Sequence, residues 1–315
     1  MIDLSSFSQK LESSQEGVSI PKFLLSDFPK TDWTKVDSSM GRALSGGPGK
    51  DGIPALVSPA FVPVDEFSHS DSVQTIVMKN SIEVKAYPYN ILLWHEIVND
   101  SADGVPIAVT FCPLCGSAIV YDRTLSDGTV ATFGVSGALL ESNLLMYDHD
   151  SESFWQQSTG DSLAGTYLGE KLDHVSFQLL TMGEVKQQYP DAQVLSEDTG
   201  YTRDHGANPY SGHEASDDFL FAPSSLDARY PSKTIFVAFM IDGMPVASPW
   251  LEIQEGQTYR TNVNGTAVAL SKTKGELTIM DGTGLVIPFY FEMWFSWAVQ
   301  HGEHKVVFDP SQANL

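Results

Sequence analysis

The chain has 315 residues, 42% of them hydrophobic and 11% aromatic, which is enough apolar material for a sizeable core. It carries 18 Lys and Arg against 40 Asp and Glu, and the resulting formal charge of −22 disfavours nucleic-acid and anionic-membrane partners. No apolar run of about 18 residues predicts a membrane span. Two cysteines are too few for a disulfide scaffold. These exclusions favour a globular protein that acts on a small molecule or a metal ion.

Composition predicts three parts along the chain. Residues 1–44 are polar and Ser-rich, and we expect an N-terminal arm that lies over the main body. Residues 45–305 are predicted to form one elaborate β-rich domain of the α+β class, because no repeat or low-complexity linker divides them. We expect this domain to be predominantly antiparallel β with several short helices. Residues 306–315 are predicted to be a C-terminal tail.

Apolar segments separated by turn residues predict three hairpins in the first half of the domain. They pair residues 91–98 with 105–111, residues 118–123 with 129–135, and residues 144–148 with 153–157. The second hairpin has Asp-Gly at its tip, a favoured two-residue turn.

The second half begins with a short predicted helix and continues with strands. Thr181 and Glu184 have the spacing of a capping box, which predicts a helix that ends before Pro190. Five short strands are predicted at residues 234–241, 245–253, 258–262, 267–270 and 276–280. Pro288 then precedes FYFEMWFSWAVQ, an almost wholly apolar stretch that predicts a buried C-terminal helix.

Both cysteines lie in one Cys-x-x-Cys segment, TFCPLCG at residues 110–116, between a predicted strand and a Gly turn. This spacing allows a disulfide, a redox pair or chelation of one soft metal ion. A thioredoxin-like site would need a helix after the second cysteine, whereas residues 118–123 predict a strand. A closed zinc site would need two further thiolates or imidazoles. The disulfide, redox and metal alternatives therefore stay open.

A metal site would draw its remaining ligands from neighbouring segments. Cys112 and Cys115, with Met146 or His95, would form a soft ligand set suited to copper or zinc. We place His95 on the strand that precedes the cysteine strand. Core packing is the alternative for Met146, and His95 has the alternative of an ordinary histidine at the sheet surface.

Two other uses of these residues are weighed beside the metal site. A Cys/His-dependent enzyme would use Cys112 and Cys115 with His95 and Glu96 as its catalytic group. A β-rich small-ligand-binding module with a structural disulfide would instead use aromatic and Arg side chains. The candidate binding residues for a cofactor or ligand are Trp94, Trp155, Arg123 and Arg203, with Trp294 and Trp297 as further pocket walls.

Several motifs in a fixed order are shared with a known family. They are KDGIPAL (50–56), WHEIVND (94–100), AVTFCPLCGSA (108–118), NLLMYD (143–148), FWQQ (154–157), TRD (202–204), NPY (208–210) and WFSW (294–297). With these motifs the chain resembles the DUF3179 family from about residue 45 to 305. The candidates Cys112, Cys115, His95, Met146, Trp94, Glu96 and Arg203 fall inside these motifs, and Arg123 lies shortly after the third of them.

The resemblance implies a setting but no reaction, because the family is defined as a domain of unknown function. Its members are mostly bacterial and archaeal, and many carry an export signal or a lipoprotein anchor. This implies a periplasmic or extracellular protein, although the opening residues show no secretory signal and a cytoplasmic location stays open. His149 and His205 occupy variable places in the family, so neither is expected to be an essential ligand.

The sequence thus favours an exported soluble protein whose Cys-x-x-Cys site binds a soft transition metal or does thiol redox chemistry. The ligand-binding module and the Cys/His-dependent enzyme are the alternatives.

Overall fold

A computed structural model describes residues 17–80 and 82–310. The helices in this part of the chain are α1 (Lys22–Asp27), α2 (Tyr89–His95), α3 (Met182–Gln188) and α4 (Trp294–His301), with 3₁₀ turns at Ser38–Arg42, Val64–Glu66 and Trp250–Glu252. The strands are β1 (Leu44–Ser45), β2 (Leu56–Val57), β3 (Phe61–Pro63), β4 (Gln74–Lys79), β5 (Val84–Pro88), β6 (Ile97–Ala102), β7 (Val105–Cys112), β8 (Ser117–Asp122), β9 (Phe133–Leu140), β10 (Asn143–Asp148), β11 (Phe154–Gln156), β12 (Ser162–Ala164), β13 (Gln178–Thr181), β14 (Gln193–Leu195), β15 (Ile235–Ile241), β16 (Met244–Pro249), β17 (Thr258–Val263), β18 (Thr266–Thr273), β19 (Glu276–Asp281), β20 (Phe289–Met293) and β21 (Val306–Val307). The predicted α+β class, dominated by antiparallel strands, is confirmed.

The largest sheet in the described residues has eight strands, in the order β2-β6-β7-β8-β20-β15-β16-β21. Two five-stranded sheets flank it in the orders β1-β9-β10-β11-β12 and β13-β4-β5-β14-β3, and a three-stranded sheet contains β17-β18-β19. Only the pairs β2/β6, β5/β14 and β16/β21 run parallel among the strands described here. None of the helices in residues 17–80 and 82–310 is long and apolar enough to cross a membrane.

The sheet that contains β10 is covered on both faces. Leu144 and Met146 belong to the main core, while Leu145 and Tyr147 pack with Phe28 and other residues of the predicted arm. This alternation follows from the two-residue repeat of a strand. The described part of the arm therefore completes a second core cluster, whereas residues 1–16 lie outside the described residues.

Three sequence predictions of local structure are confirmed, except that the strand predicted at 245–253 ends at Pro249 and is followed by the 3₁₀ turn Trp250–Glu252. The hairpin β10–β11 joins Tyr147 to Phe154 across an antiparallel pair. The capping box at the start of α3 is present, with Thr181 accepting from the Glu184 N–H and the Glu184 carboxylate accepting in return. The five predicted strands after residue 234 correspond to β15 to β19.

The first two predicted hairpins are wrong in part. The segment 91–98 does not form one strand, because residues up to His95 belong to α2 and only the remainder joins β6. In α2 the buried residues Ile91, Leu92 and His95 have helical spacing, a repeat too short to separate from an apolar strand. In the second hairpin, β9 pairs with β10 and β1 rather than with β8.

The predicted C-terminal helix begins too early. Phe289–Met293 forms β20, the strand between β8 and β15 in the eight-stranded sheet, and only Trp294–His301 is helical. All five residues of β20 are buried. A strand covered on both faces has a continuous apolar sequence, and so it resembles a buried helix in its composition.

Candidate functional site

The two cysteines lie at the turn between the central strands β7 and β8. Cys112 ends β7 opposite Ser117, and the Cys115 N–H donates to the Cys112 carbonyl at 3.2 Å, which closes the turn. Gly116 has a φ of +54°, and a Cβ there would lie 3.1 Å from Ile235 and 3.2 Å from Met293. The turn therefore requires glycine at this position.

Both thiols are buried and neither is in a disulfide. The structure therefore does not contain the disulfide that one alternative predicted. Cys112 and Cys115 are free thiols within hydrogen-bonding reach of each other. The Cys115 thiol also donates to the Ser142 carbonyl at 3.3 Å. A pair of adjacent thiols can form and break a disulfide, or hold one soft cation.

A buried carboxyl group lies on the inner flank of the thiol pair. Glu292, in β20, accepts from the Ser158 hydroxyl at 2.8 Å and from the Ser296 hydroxyl at 2.5 Å. Ser296 is also within hydrogen-bonding reach of Cys115, and the charge of Glu292 acts on that thiol. Backbone pairing fixes this arrangement, because the Met293 N–H donates to the Cys115 carbonyl at 2.8 Å.

Burial controls the protonation of this inner flank. Desolvation raises the pKa of Glu292 to about 7, although the two serine hydroxyls oppose the shift. Desolvation also raises the pKa of Cys115 well above its ordinary value, and the neighbouring Cys112 and Glu292 add to the effect. Glu292 thus titrates near neutral pH beside a protonated thiol, which is the arrangement that general-base catalysis requires.

A second buried carboxyl group lies on the outer flank. Glu96 accepts from the Tyr210 hydroxyl at 3.2 Å, and Cys112 is close enough to raise the pKa of Tyr210 together with burial and Glu96. Burial raises the pKa of Glu96 to about 8. Glu96 also adopts a φ of +57°, a conformation that costs a non-glycine residue about 1–3 kcal/mol and clusters at functional sites.

A network of buried amides holds the cysteine turn in place. Gln157 donates to the Thr110 hydroxyl at 2.9 Å and accepts from the Ser117 hydroxyl at 2.6 Å and from Asn143 at 2.8 Å. Such satisfied networks in a low-dielectric interior fix a single geometry. The FWQQ motif therefore stabilises the turn that carries the thiols through hydrogen bonds to its flanking strands.

The outer flank is covered by residues 196–234, which contain no helix or strand; we call them the cover segment. Trp94 donates its indole N–H to the Ala207 carbonyl at 3.1 Å, and the Asn90 amide donates to the His205 carbonyl at 3.2 Å. Over the turn itself, His213 donates to the Leu114 carbonyl at 2.9 Å. Irregular segments longer than about 12–15 residues are usually functional when they lie in a compact domain.

His95 lies at the C-terminal end of α2, not on a strand, so its predicted position is corrected. Its Nδ1 lies 2.8 Å from the Pro54 carbonyl, and its Nε2 lies 3.4 Å from Nε2 of His205 in the cover segment. Burial lowers the pKa of His95 to about 4. His95 thus contacts the Pro54 carbonyl and the rings of His205 and Tyr201.

The other predicted site residues have packing or backbone contacts of their own. Met146 is buried in β10 opposite Val135 and Trp155, where it packs as a core side chain. Arg123 donates to the carbonyls of Ala131 and Asp100 and so holds loop ends together. Three predicted pocket walls are fully buried and line no open cleft that the structure describes, namely Trp155, Trp294 and Trp297.

Arg203 lies in the cover segment, where its guanidinium donates to the Thr202 carbonyl and acts on His95 and His205 through its charge. No group of three or more His, Cys, Asp and Glu side chains is placed to hold a metal ion within residues 17–80 and 82–310.

The carboxyl group of Glu292 on the inner flank was not predicted from the sequence, and neither was the packing of most of the cover segment on the turn. Glu292 had a usable signal, because it is the one charged residue in FYFEMWFSW. Ser158 and Ser296 had none, since serine is common in every setting. Tyr210 and His213 lie in a segment whose packing on the turn depends on contacts distant in the sequence.

The sequence matches one model of a known protein family. The model described as a protein of unknown function, DUF3179, matches residues 50–286. The chain belongs to the DUF3179 family. The predicted resemblance is therefore confirmed over most of the chain, and the match includes the cysteine turn, Glu96 and the whole cover segment. No curated protein and no solved structure gives a significant match.

Proposed function

We propose that this DUF3179 protein is a thiol–disulfide redox protein in which Cys112 and Cys115 exchange electrons with a substrate disulfide. The observation that carries the proposal is the contact between two free thiols, one of which is linked through Ser296 to the buried carboxyl group of Glu292. A dithiol with an adjacent proton acceptor has the components that disulfide exchange needs.

The chemistry divides into two displacements. The Cys112 thiol gives its proton to water, and the resulting thiolate attacks one sulfur of the substrate disulfide. This forms a mixed disulfide and releases the first substrate thiolate, which takes a proton from water. Glu292 then accepts the proton of Cys115, whose thiolate attacks the Cys112 sulfur and releases the second substrate thiol. The protein loses two electrons and two protons, and both protons end on the substrate thiols, one of them through Glu292.

The environments of the two thiols assign these roles. Cys115 is enclosed by the Ser142 carbonyl, Ser296 and Glu292, so a substrate has no approach to it from that side. Cys112 is near enough to Tyr210, which belongs to the cover segment, to raise the pKa of that hydroxyl. Movement of that segment would therefore expose Cys112 first.

A redox equilibrium tests the proposal. The protein is incubated in glutathione buffers of graded potential, quenched with acid and analysed by mass spectrometry. We expect a single two-electron transition to an intramolecular disulfide, and we expect Cys112→Ser and Cys115→Ser to abolish it. Thiols that stay reduced across the range in the native protein, while they react fully after unfolding, would contradict the proposal.

A second candidate function uses the same contact between the thiols. Two adjacent thiolates can hold one copper(I) ion without a histidine or methionine, because soft sulfur ligands select copper(I). Copper(I) titration under anaerobic conditions distinguishes the two functions. One tightly held equivalent that is lost in Cys112→Ser, with no disulfide transition, would favour the metal over the redox cycle.

The setting we propose is periplasmic or extracellular, as the family resemblance implies. Disulfide substrates persist in such compartments and are rare in a reducing cytosol. Fractionation of cells that express the native gene tests this setting. Recovery of the protein only with the cytosol would contradict it.

A further inference from the structure

We propose that His95 and His205 form a two-imidazole site for a zinc-class divalent metal ion, separate from the thiols. The two Nε2 atoms face each other at 3.4 Å across the contact between α2 and the cover segment. Tetrahedral zinc with Zn–N bonds of about 2.0–2.1 Å holds two nitrogen ligands about 3.3–3.4 Å apart. The observed spacing is therefore that of two ligands on one ion.

The hydrogen bond alone explains this contact poorly. A good hydrogen bond to nitrogen or oxygen has a donor–acceptor distance of about 2.7–3.2 Å, which is shorter than the distance here. The rings are tilted by 46° and their centroids are 5.6 Å apart. The two nitrogens are thus close to the limit for a hydrogen bond and well placed for a shared ion.

The outer nitrogen of the His95 ring has the kind of partner that metal-binding histidines use. Nδ1 of His95 lies 2.8 Å from the Pro54 carbonyl, which can only accept, so Nδ1 carries the proton and Nε2 carries the lone pair. Nδ1 of His205 lies 3.9 Å from a carboxylate oxygen of Glu197, which is too far for a hydrogen bond, and that oxygen is the hydrogen-bond partner of His69. A carbonyl or carboxylate on the outer nitrogen orients a ligating imidazole and raises its basicity.

The surroundings of the two imidazoles include a neighbouring cleft and several charged side chains. Tyr201 packs near the His95 ring and also lines a cleft of about 610 Å³ between residues 55–60 and 195–201. Two carboxylates, Glu197 and Asp204, and one guanidinium, Arg203, act on His205. Water or an anionic ligand would complete the coordination, as in metal sites that keep an open position.

Zinc titration of the chelator-treated protein tests the site. We expect one equivalent by calorimetry, and at least tenfold weaker binding in His205→Gln and His95→Gln. His304→Gln, at an exposed histidine, and the double variant Cys112→Ser/Cys115→Ser should bind as the native chain does. Absence of binding, binding unchanged in His205→Gln, or binding lost in the double cysteine variant would overturn the proposal.

A second measurement needs no variant and so does not depend on their folding. Cobalt(II) replaces zinc and reports its ligands by absorption. We expect a spectrum of nitrogen and oxygen ligands without the intense charge-transfer band that thiolate ligands give. Appearance of that band in the native protein would contradict an imidazole site.

Discussion

The two flanks of the thiol pair are built differently. Glu292 and Ser296, on the inner flank, are set by β20 and α4, and both are fully buried. On the outer flank, Glu96 meets Tyr210, which comes from the irregular cover segment. Regular elements open with the free energy of global unfolding, whereas irregular segments open locally at lower cost. We infer that the inner flank transfers protons and that the outer flank opens to admit the substrate.

The substitution with the largest expected effect changes Glu292 on the inner flank. Glu292→Gln keeps the shape but replaces one acceptor oxygen by an NH2 donor, so one of the two serine hydroxyls must accept instead of donating. It also removes the proton acceptor for Cys115. We expect the second displacement to slow by about 100-fold, within the range of general acid–base catalysis, while the first displacement is unchanged. Rapid-quench measurement of the mixed disulfide separates the two steps.

The pH dependence of the second displacement sharpens the same comparison. Because the pKa of Glu292 is about 7, its rate in the native protein should rise as the pH passes through about 7. Glu303→Gln, at an exposed carboxylate, serves as the matched control and should leave both steps as they are. Equal effects of Glu292→Gln on both displacements would contradict the assigned role.

The inner carboxyl should also appear in the pH dependence of stability. A carboxyl group whose pKa is raised by folding stabilises the folded state fully below its unfolded pKa, and this contribution is lost as the pH rises through the folded pKa. Between pH about 4.5 and about 7 the native protein should therefore lose stability relative to Glu292→Gln, by up to about 1.4 kcal/mol per pH unit. Urea unfolding of both proteins across this range measures the difference, and parallel curves would contradict the raised pKa.

The smallest expected effect concerns the outer flank. Trp94→Phe removes the hydrogen bond to the Ala207 carbonyl, a contact that contributes about 0.5–1.5 kcal/mol to closing the cover segment. Labelling of Cys112 by an aromatic disulfide should become about two- to tenfold faster. Trp33→Phe is the matched control, because its indole N–H also donates to a carbonyl but lies in the arm. A faster rate in both variants would indicate general loosening rather than opening of the cover segment.

Sequence reasoning predicted the parts of the molecule that local signals encode. The turn that carries Cys112 and Cys115 follows from its flanking strands and Gly116, and the α3 capping box follows from Thr181 and Glu184. Glu96 was predicted as a site residue from its neighbours in the sequence. The structure places it at the outer flank, although its left-handed backbone conformation has no signal in residue type.

The remainder depended on packing between distant segments. β20 looked helical because a strand buried on both faces loses its alternation, and this error hid Glu292 as a neighbour of Cys115. His95 was predicted on a strand, whereas the structure places it at the end of α2. His205 was set aside as variable, and only the fold of the cover segment brings it against His95.

Trapping of the mixed disulfide tests the central claim most directly, because it asks which thiol meets the substrate. Each single variant, Cys115→Ser and Cys112→Ser, is incubated with oxidised glutathione and analysed by mass spectrometry. We predict that Cys115→Ser accumulates one glutathione on Cys112, because the resolving thiol is absent, and that Cys112→Ser remains unmodified while folded. Equal modification of both variants, or of Cys115 alone, would contradict the division of the site into a protected inner thiol and an accessible outer one.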